Sequence, residues 1–116
     1  MSKLEHLLQP IRVRNLEIPN RVVMPPMGSN LGNTDGTVSE ANLAYFKRRV
    51  QSGAGFIITE ITSVHPDGTA SPKTLCVYDD RFIPGLAKMA DIVHQQGVRI
   101  AMQLHHAGRE GYYLLK

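Results

Sequence analysis

The segment IAMQLHHAGR, at residues 100–109, carries the strongest indication of the fold of this chain. Its apolar first half is typical of a buried β-strand, and its second half is polar, with Gln103, His105, His106 and Arg109. In parallel α/β proteins, ligands and reacting groups gather at the carboxyl ends of strands. The segment therefore predicts a parallel strand that ends at a functional site.

The composition is typical of a soluble globular domain and argues against several kinds of partner. Of the 116 residues, 42% are hydrophobic and 20% are charged, and the formal net charge is +3, all ordinary values. The basic run at residues 47–49 is too short for a nucleic-acid patch, because consecutive helical residues point in different directions. No apolar run reaches the roughly 20 residues of a membrane span, and the polar amino terminus lacks the apolar core of a signal peptide.

With Cys76 as the only cysteine, neither an internal disulfide nor a thiolate zinc cluster can form. We therefore expect a cytoplasmic protein with no metal site and no membrane or nucleic-acid partner.

The first part of the chain predicts a β-hairpin followed by a strand. Residues 11–18 alternate apolar and polar side chains around a turn at Asn15, which predicts a hairpin with one buried face. Residues 21–24 predict the first buried strand, which ends at Pro25 because proline cannot donate to a sheet ladder. A loop rich in glycine and asparagine follows over residues 28–36.

A first helix and a second strand follow this loop. Thr37 and Glu40 have the spacing of a capping box and predict the start of the helix. The apolar stripe of this helix consists of Leu43, Phe46 and Val50. Gly53 ends the helix, since glycine tolerates the left-handed turn that leads out of it. Residues 56–61, FIITEI, form a near-continuous apolar run and predict a strand that is covered on both faces.

A second helix and a third strand come after a long loop at residues 62–80, whose length favours a functional role. Asp79 and Asp80 predict the start of the helix, since carboxylates cap and stabilise helix amino termini. Its buried stripe is expected to consist of Ile83, Leu86, Ala90 and Val93. Gly97 ends the helix, and residues 98–104 form the third strand.

The order of elements, a hairpin followed by β-α-β-α-β, requires parallel strands joined by helical crossovers. An open doubly wound sheet usually carries a glycine-rich phosphate turn after its first strand, whereas here residues 25–29 read PPMGS. A (β/α)8 barrel fits better, although a barrel needs roughly 250 residues and eight strands. The sequence therefore predicts an α/β fold that is the amino-terminal part of an incomplete barrel.

Three strand ends offer groups that could bind a ligand, at residues 26–28, 60–62 and 103–106. The amide of Gln103 carries both a donor and an acceptor, so it can bind the edge of a planar heterocycle. A buried structural glutamine is an equally weighted alternative. Gly28 either lets a flat ligand approach the backbone closely or is a plain turn glycine.

Two other groups of residues are less suited to chemistry. His105 and His106 are adjacent on a strand, so their side chains point to opposite faces and cannot readily chelate one ion. Glu60 has no second carboxylate in a defined relation to it. A buried glutamate that is bonded to loop amides is therefore favoured over a general acid–base pair.

Four segments of the chain, in order, resemble the amino-terminal third of the Old Yellow Enzyme family, the NADH:flavin oxidoreductase/NADH oxidase group. The segments are LEIPNRVVM with PM at residues 16–27, VSEA with YF at 38–46, GAG with IITE at 53–60, and QLHHAGR at 103–109. The last segment is quite specific, and together the four span nearly the whole chain. The resemblance implies that residues 1–116 are the amino-terminal third of an FMN-binding (β/α)8 barrel domain.

The resemblance also implies which residues hold the cofactor, FMN, at the carboxyl ends of the strands. Pro26 and Met27 should lie along the flavin ring. Gly28 falls where several relatives have Cys or Thr beside the reactive edge of the flavin. Ile61 should contact the flavin mainly through its backbone, and Gln103 should bond the pyrimidine edge of the ring.

Three further residues are candidates for the substrate site by the same resemblance: Asn30, His106 and Arg109. The activity implied is hydride transfer from NAD(P)H, through the flavin, to an activated alkene such as an α,β-unsaturated carbonyl compound. The proton-delivering tyrosine and the phosphate-binding arginine of the family are expected downstream of Lys116, so no catalytic residue is assigned here. An iron–sulfur cluster is implied only for a longer parent chain.

The chain by itself is thus expected to be an inactive fragment of a small-molecule enzyme that self-associates through its open sheet edges. Two alternatives stay open at this point. One is a truncated barrel that serves as a structural or interaction module without catalysis. The weaker one is a non-flavin barrel enzyme that binds a phosphorylated metabolite, for which no phosphate-binding loop is present in the sequence.

Overall fold

The computed structural model describes residues 4–111, which form a small hairpin and a parallel sheet with two helices packed against one face. The helices are α1 (Glu5–Leu8), α2 (Glu40–Arg49) and α3 (Ile83–His94), and short 3-10 turns occupy Val50–Ser52, Pro66–Gly68, Asp80–Phe82 and Gly108–Glu110. The strands are β1 (Ile11–Val13), β2 (Leu16–Ile18), β3 (Val23–Met24), β4 (Phe56–Ser63), β5 (Leu75–Cys76) and β6 (Arg99–His105). The predicted order of hairpin and β-α-β-α-β is confirmed.

The strand β4 lies at the centre of the parallel sheet. On one edge it pairs with β3, with Met24 opposite Ile57, and on the other edge it pairs with β6, with Ile57 opposite Ile100. The two-residue strand β5 pairs with the last two residues of β4, beyond the end of β3. The sequence did not predict β5 within the long loop, because two residues are too few to show a period.

A β-bulge interrupts the pairing of β4 with β6. The register passes from Ile58 opposite Ala101 to Ile61 opposite Gln103, so β4 takes three steps where β6 takes two. A bulge breaks the strict alternation of side chains between the two faces. As a result both residues within it, Thr59 and Glu60, are buried.

The hydrophobic core lies between the sheet and the two long helices. Its buried members come from both helical segments and from the strands: Phe46, Val50, Ile57, Leu75, Met89, Val93 and Val98. Leu43 packs against this cluster from α2, as its place in the predicted stripe requires. Gly53 and Gly97, which end the two helical segments, both have the left-handed backbone expected of them, with φ of 88° and 72°.

The hairpin forms as predicted, but its predicted buried face is wrong. Only Ile18 is buried, while the other apolar side chains of the hairpin are exposed: Ile11, Val13 and Leu16. The physical reason is that this two-stranded unit is separate from the main sheet. It is tied to the sheet by the side chain of Arg99, whose Nε donates to the carbonyl oxygen of Glu17 at 2.9 Å.

The predicted capping box at the start of α2 is also wrong. Thr37 instead donates from its hydroxyl to Asp35 at 2.6 Å, within the preceding turn. The box is formed by Ser39 and Asn42, each of whose side chains accepts from the backbone N–H of the other. Thr37 with Glu40 and Ser39 with Asn42 both have the three-residue spacing of a capping box. Because Thr37 is bonded to Asp35 in the preceding turn, the helix begins after Ser39.

The predicted buried stripe of α3 is wrong at its first position. Ile83 is 57% exposed, whereas Met89 and Val93 are buried and Leu86 and Ala90 are half-buried. A 3-10 turn precedes α3 and buries Phe82 in place of Ile83. Asp79 caps this turn, since its side chain accepts from the N–H of Arg81.

Candidate active site

The carboxyl ends of β4 and β6 bring two of the predicted residues side by side. Ile61 and Gln103 are register partners, and paired residues of neighbouring strands project from the same face of the sheet. On β6, Ile100 packs against the core on the helix side. Because side chains alternate along a strand, Gln103 projects from the opposite face, the face that lies inside a barrel.

The amide of Gln103 is available to a ligand. The residue is half-buried, and its backbone N–H donates to the hydroxyl of Thr59 at 3.3 Å. Within residues 4–111, its side-chain amide makes no hydrogen bond and is not one of the unsatisfied buried groups. A free amide with solvent access on the inner face of a sheet can offer a donor and an acceptor to the same planar partner.

A cavity of about 390 Å³ joins the end of β4 to the loop that follows β3. The strand ends contribute Gly28, Asn30, Glu60 and Ile61, and the loop before β5 contributes Ser71, Lys73 and Thr74. The long loop thus forms one wall of the candidate site. Ile61 links the two halves of this region, because it lines the cavity and also pairs with Gln103.

The chain around Gly28 is open towards the solvent. Apart from its two chain neighbours, no atom of residues 4–111 lies within 4 Å of a Cβ added at Gly28, so packing within this part of the chain does not account for the missing side chain. The preceding Met27 is 56% exposed and Pro26 is half-buried. Asn30 has a left-handed backbone with φ of 55°, which is uncommon for a residue other than glycine.

The carboxylate of Glu60 is buried and bonded to the loop, as the sequence favoured. Its oxygens accept from the hydroxyl of Ser29 at 2.6 Å, from the N–H of Ser29 at 3.3 Å and from the amide of Asn42 at 3.3 Å. Sequence reasoning missed both Ser29 and Asn42. The spacing of Ser39 and Asn42, which is that of a helix cap, is the signal that could have identified the second of them.

The structure places His106 and Arg109 outside this cavity. The ring of His106 lies against Gly68, where a Cβ would come within 2.6 Å of it, and its Nδ1 accepts from the N–H of Gly108 at 3.0 Å. The side chain of Arg109 is exposed, and its Nε lies 3.5 Å from Oε1 of Glu110. Their part in substrate binding stays a prediction.

The neighbouring His105 has a buried Nδ1 that lacks a hydrogen-bond partner in the described part of the chain. In residues 4–111, no group of three or more His, Cys, Asp and Glu side chains is arranged to hold a metal ion. Between Leu4 and Gly111, no helix has the combined length and apolar character that a membrane crossing requires.

Comparison with known proteins identifies the family. Residues 6–113 match the model of the NADH:flavin oxidoreductase / NADH oxidase family. The chain belongs to this family. Members of this family that resemble it include the NADH oxidase of Thermoanaerobacter brockii, which is 41% identical over 111 residues, or 95% of this chain and 17% of the relative.

Solved structures confirm the fold class and the resemblance to Old Yellow Enzyme. The old yellow enzyme from Trypanosoma cruzi has a TM-score of 0.84 and 34% identity, over 95% of this chain and 29% of its own. A complex of 2-naphthoyl-CoA reductase with 2-naphthoyl-CoA has a TM-score of 0.91 and 26% identity, over 96% of this chain and 17% of its own. The chain therefore spans less than a third of the length of these relatives, and its fold is the amino-terminal part of a (β/α)8 barrel.

The residues present in this family member fit a flavin in two respects. The amide of Gln103, which makes no hydrogen bond within residues 4–111, has the donor and acceptor that the edge of such a ring requires. The open space at Gly28 leaves room for a flat group beside the backbone. The individual roles of Pro26, Met27, Gly28, Ile61 and Gln103 in holding it stay predictions.

Proposed function

We propose that the protein carrying this chain is an FMN-dependent oxidoreductase of the ene-reductase type. Its substrates are NAD(P)H and an activated alkene such as an α,β-unsaturated carbonyl compound. The observation that carries the proposal is the pairing of Ile61 with Gln103 beside the cavity at Gly28, in a member of the flavin oxidoreductase family. Gly28, Ile61 and Gln103 come from distant parts of the sequence, and all three lie at the same end of the sheet.

The residues of this chain bind and orient the cofactor. Pro26, Met27 and Gly28 would lie along the face of the ring, and Ile61 would contact it through its backbone. The amide of Gln103 would donate to one atom of its pyrimidine edge and accept from another. When bound, the flavin supplies the hydride chemistry between nicotinamide and alkene, while the protein supplies position and electrostatics.

The resemblance implies that the proton-delivering tyrosine and the phosphate-binding arginine of the family would lie beyond Lys116. We therefore propose that residues 1–116 alone hold FMN weakly and have no turnover. Without them, residues 1–116 would lack the implied anchor for the phosphate and the implied general acid for the product.

A second candidate function is a structural or interaction module without catalysis. It is favoured by the open sides of the sheet: among residues 4–111, neither β3 nor β6 pairs with a further strand on its outer edge. Val23 on β3 and Leu104 on β6 are 45% and 64% exposed. Exposed edges of this kind can pair with another chain.

The first prediction concerns Gln103 in the full-length protein that carries this chain. FMN binding is measured by the quenching of flavin fluorescence, and turnover is measured with NAD(P)H and an enone. Gln103→Leu removes two hydrogen bonds to the ring and is expected to weaken FMN binding about 10-fold. Gln96→Leu, at an exposed position beyond the end of α3, serves as the matched control and should bind FMN as the wild type does.

Three results would contradict parts of the proposal. A full-length protein that binds no flavin would favour the interaction module, above all if it formed a stable colourless oligomer. Wild-type FMN affinity in the Gln103→Leu variant would remove the role of this amide. Robust turnover by residues 1–116 alone would disprove the proposed inactivity of this part.

A further inference from the structure

The carboxylate of Glu60 is buried without a cationic partner. Glu60 is 3% exposed. The ion pairs found within residues 4–111 are His65 with Asp67 and Arg109 with Glu110, and neither involves Glu60. Burying a charge is costly unless hydrogen bonds compensate for the lost water. The hydrogen bonds of this carboxylate therefore have to compensate for its burial.

Every hydrogen-bond partner of this carboxylate within the described chain is a donor. They are the hydroxyl and the N–H of Ser29 and the side-chain amide of Asn42. The amide of Asn42 is fixed in this orientation, because its oxygen already accepts from the N–H of Ser39 at 3.0 Å. The position thus requires a side chain that only accepts hydrogen bonds. A carboxylate meets this requirement, whereas a glutamine amide does not, because its NH₂ group donates.

The hydrogen bonds around Glu60 hold the loop that contains Gly28 at two points. Ser29 is bonded to Glu60 on β4, and two residues later the carbonyl oxygen of Leu31 accepts from the hydroxyl of Ser39 at 2.6 Å. Between these points lies Asn30, with its left-handed backbone. The short segment at residues 28–31 is therefore clamped between the central strand and the start of α2.

The bulge in β4 makes this clamp possible. Ile58 pairs with Ala101, which lies on the same face of β6 as Gln103, so with strict alternation Ile61, three residues later, would project from the opposite face. In the bulge Glu60 is buried towards Ser29 and Asn42, while the next residue, Ile61, pairs with Gln103. Bulges beside active sites commonly redirect a side chain in this way.

We infer that Glu60 is a positioning residue that acts through Ser29 to fix the backbone of Gly28 and Asn30 against the flavin. This inference rests on the proposed function. Glu60 would thus set the distance between the end of β3 and the ring, which Gln103 would bond from the end of β6. A small displacement of an orienting group can cost a large factor in rate.

The test is Glu60→Gln in the full-length protein loaded with FMN. The new amide places a donor against the donors of Ser29 or Asn42, so the loop moves away. We expect a shift of the visible flavin absorption bands, a changed reduction potential and a kcat/KM that falls about 10-fold to 100-fold. Val93→Ala, in the core between α3 and the sheet, is the matched control: it lowers Tm but should leave the flavin spectrum and potential unchanged.

Rescue separates positioning from a general loss of structure. In the double variant Glu60→Gln/Asn42→Asp, the new carboxylate at position 42 accepts from the new amide at position 60. This double variant should regain the wild-type spectrum and most of the lost kcat/KM. If Glu60→Gln does not fold, Ser29→Ala is the second variant. It removes the 2.6 Å hydrogen bond to Glu60 and the two longer bonds that this hydroxyl accepts, from the N–H of Leu31 at 3.3 Å and from the amide of Asn42 at 3.4 Å, and it should produce a smaller shift in the same direction.

A wild-type spectrum, potential and kcat/KM in both Glu60→Gln and Ser29→Ala would overturn the inference. If the wild-type protein binds no flavin at all, the proposed function fails instead. Hydrogen exchange then decides whether the clamp exists, since Glu60→Gln should accelerate exchange of the Ser29 and Leu31 amides. Unchanged exchange at these two amides would overturn the clamp itself.

Discussion

At the scale of single residues, Asn20 shows how one side chain can join two strands. Its amide nitrogen donates to the carbonyl oxygen of Gly53 at 2.8 Å. Its amide oxygen accepts from the N–H of Val22 at 3.0 Å and from that of Gly55 at 2.9 Å. These bonds hold the start of β3 beside the start of β4, so the side chain replaces hydrogen bonds that the short strand cannot supply.

We predict that Asn20→Ala lowers the free energy of unfolding by about 1 to 3 kcal/mol, because the carbonyl oxygen of Gly53 and the N–H of Val22 lose their partner. The N–H of Gly55 keeps its second acceptor, the carbonyl oxygen of Val22 at 3.0 Å. Unfolding in urea, followed by circular dichroism, measures the change. Asn20→Asp keeps the acceptor and loses only the donor, so it should lie between the wild type and Asn20→Ala. Equal stability of all three proteins would show that water replaces the side chain without cost.

At the scale of elements, two glycines have similar backbone angles and different surroundings. Gly53, at the end of the first helical segment, has φ of 88° and open space around it. Gly36, in the turn before α2, has φ of 85°, and a Cβ there would lie 2.6 Å from the sulfur of Cys76 on β5. Burial raises the pKa of the Cys76 thiol, so this sulfur stays protonated and packs as an apolar group.

We predict that Gly53→Ala costs about 1 kcal/mol of stability, from the left-handed backbone alone. Gly36→Ala should cost about 1 to 3 kcal/mol more, because it adds an overlap with a packed sulfur. Thermal and urea unfolding of the two variants give both values. Cys76→Ala combined with Gly36→Ala should recover part of the difference, and a double variant as unstable as the single one would contradict the role of this overlap.

Local sequence patterns predicted some of the helices and strands better than others. The strand at residues 56–61 was predictable because a short, near-continuous apolar run after a helix-ending glycine is typical of a buried strand, and the structure extends it only to Ser63. The exact start of α2 was not predictable, since two overlapping pairs, Thr37 with Glu40 and Ser39 with Asn42, both have the spacing of a capping box. Ile83 was assigned to the core because helical periodicity gives no sign of the 3-10 turn that shifts the buried face.

At the scale of the whole molecule, the sheet of residues 4–111 is open on both sides. The outer edges of β3 and β6 have unpaired backbone groups, and apolar side chains are exposed beside them. An isolated sheet of this kind reduces its exposed apolar surface by association. Open edges therefore favour self-association of residues 1–116 as an isolated chain.

We predict that the isolated 116-residue chain associates and that Leu104→Lys weakens this association. A lysine on an edge strand opposes pairing with a second chain. The dissociation constant should rise at least about 10-fold, since burial of a leucine contributes about 1.5 kcal/mol or more. Analytical ultracentrifugation over a range of concentrations measures it, and Ile83→Lys, at an exposed position on α3, is the control that should have no such effect. A chain that stays monomeric at all concentrations would contradict the prediction.

Local patterns in the chain were enough to predict the order of the elements, the parallel strands and the amide at the end of the third strand. These features follow from apolar runs, turn residues and motifs, each of which lies within a short segment. The bulge of β4 at Thr59 and Glu60, and the contact of Glu60 with Ser29, 31 residues away in sequence, became visible only in the folded chain. Sheet register sets such contacts, because a shift of one residue turns every side chain to the other face.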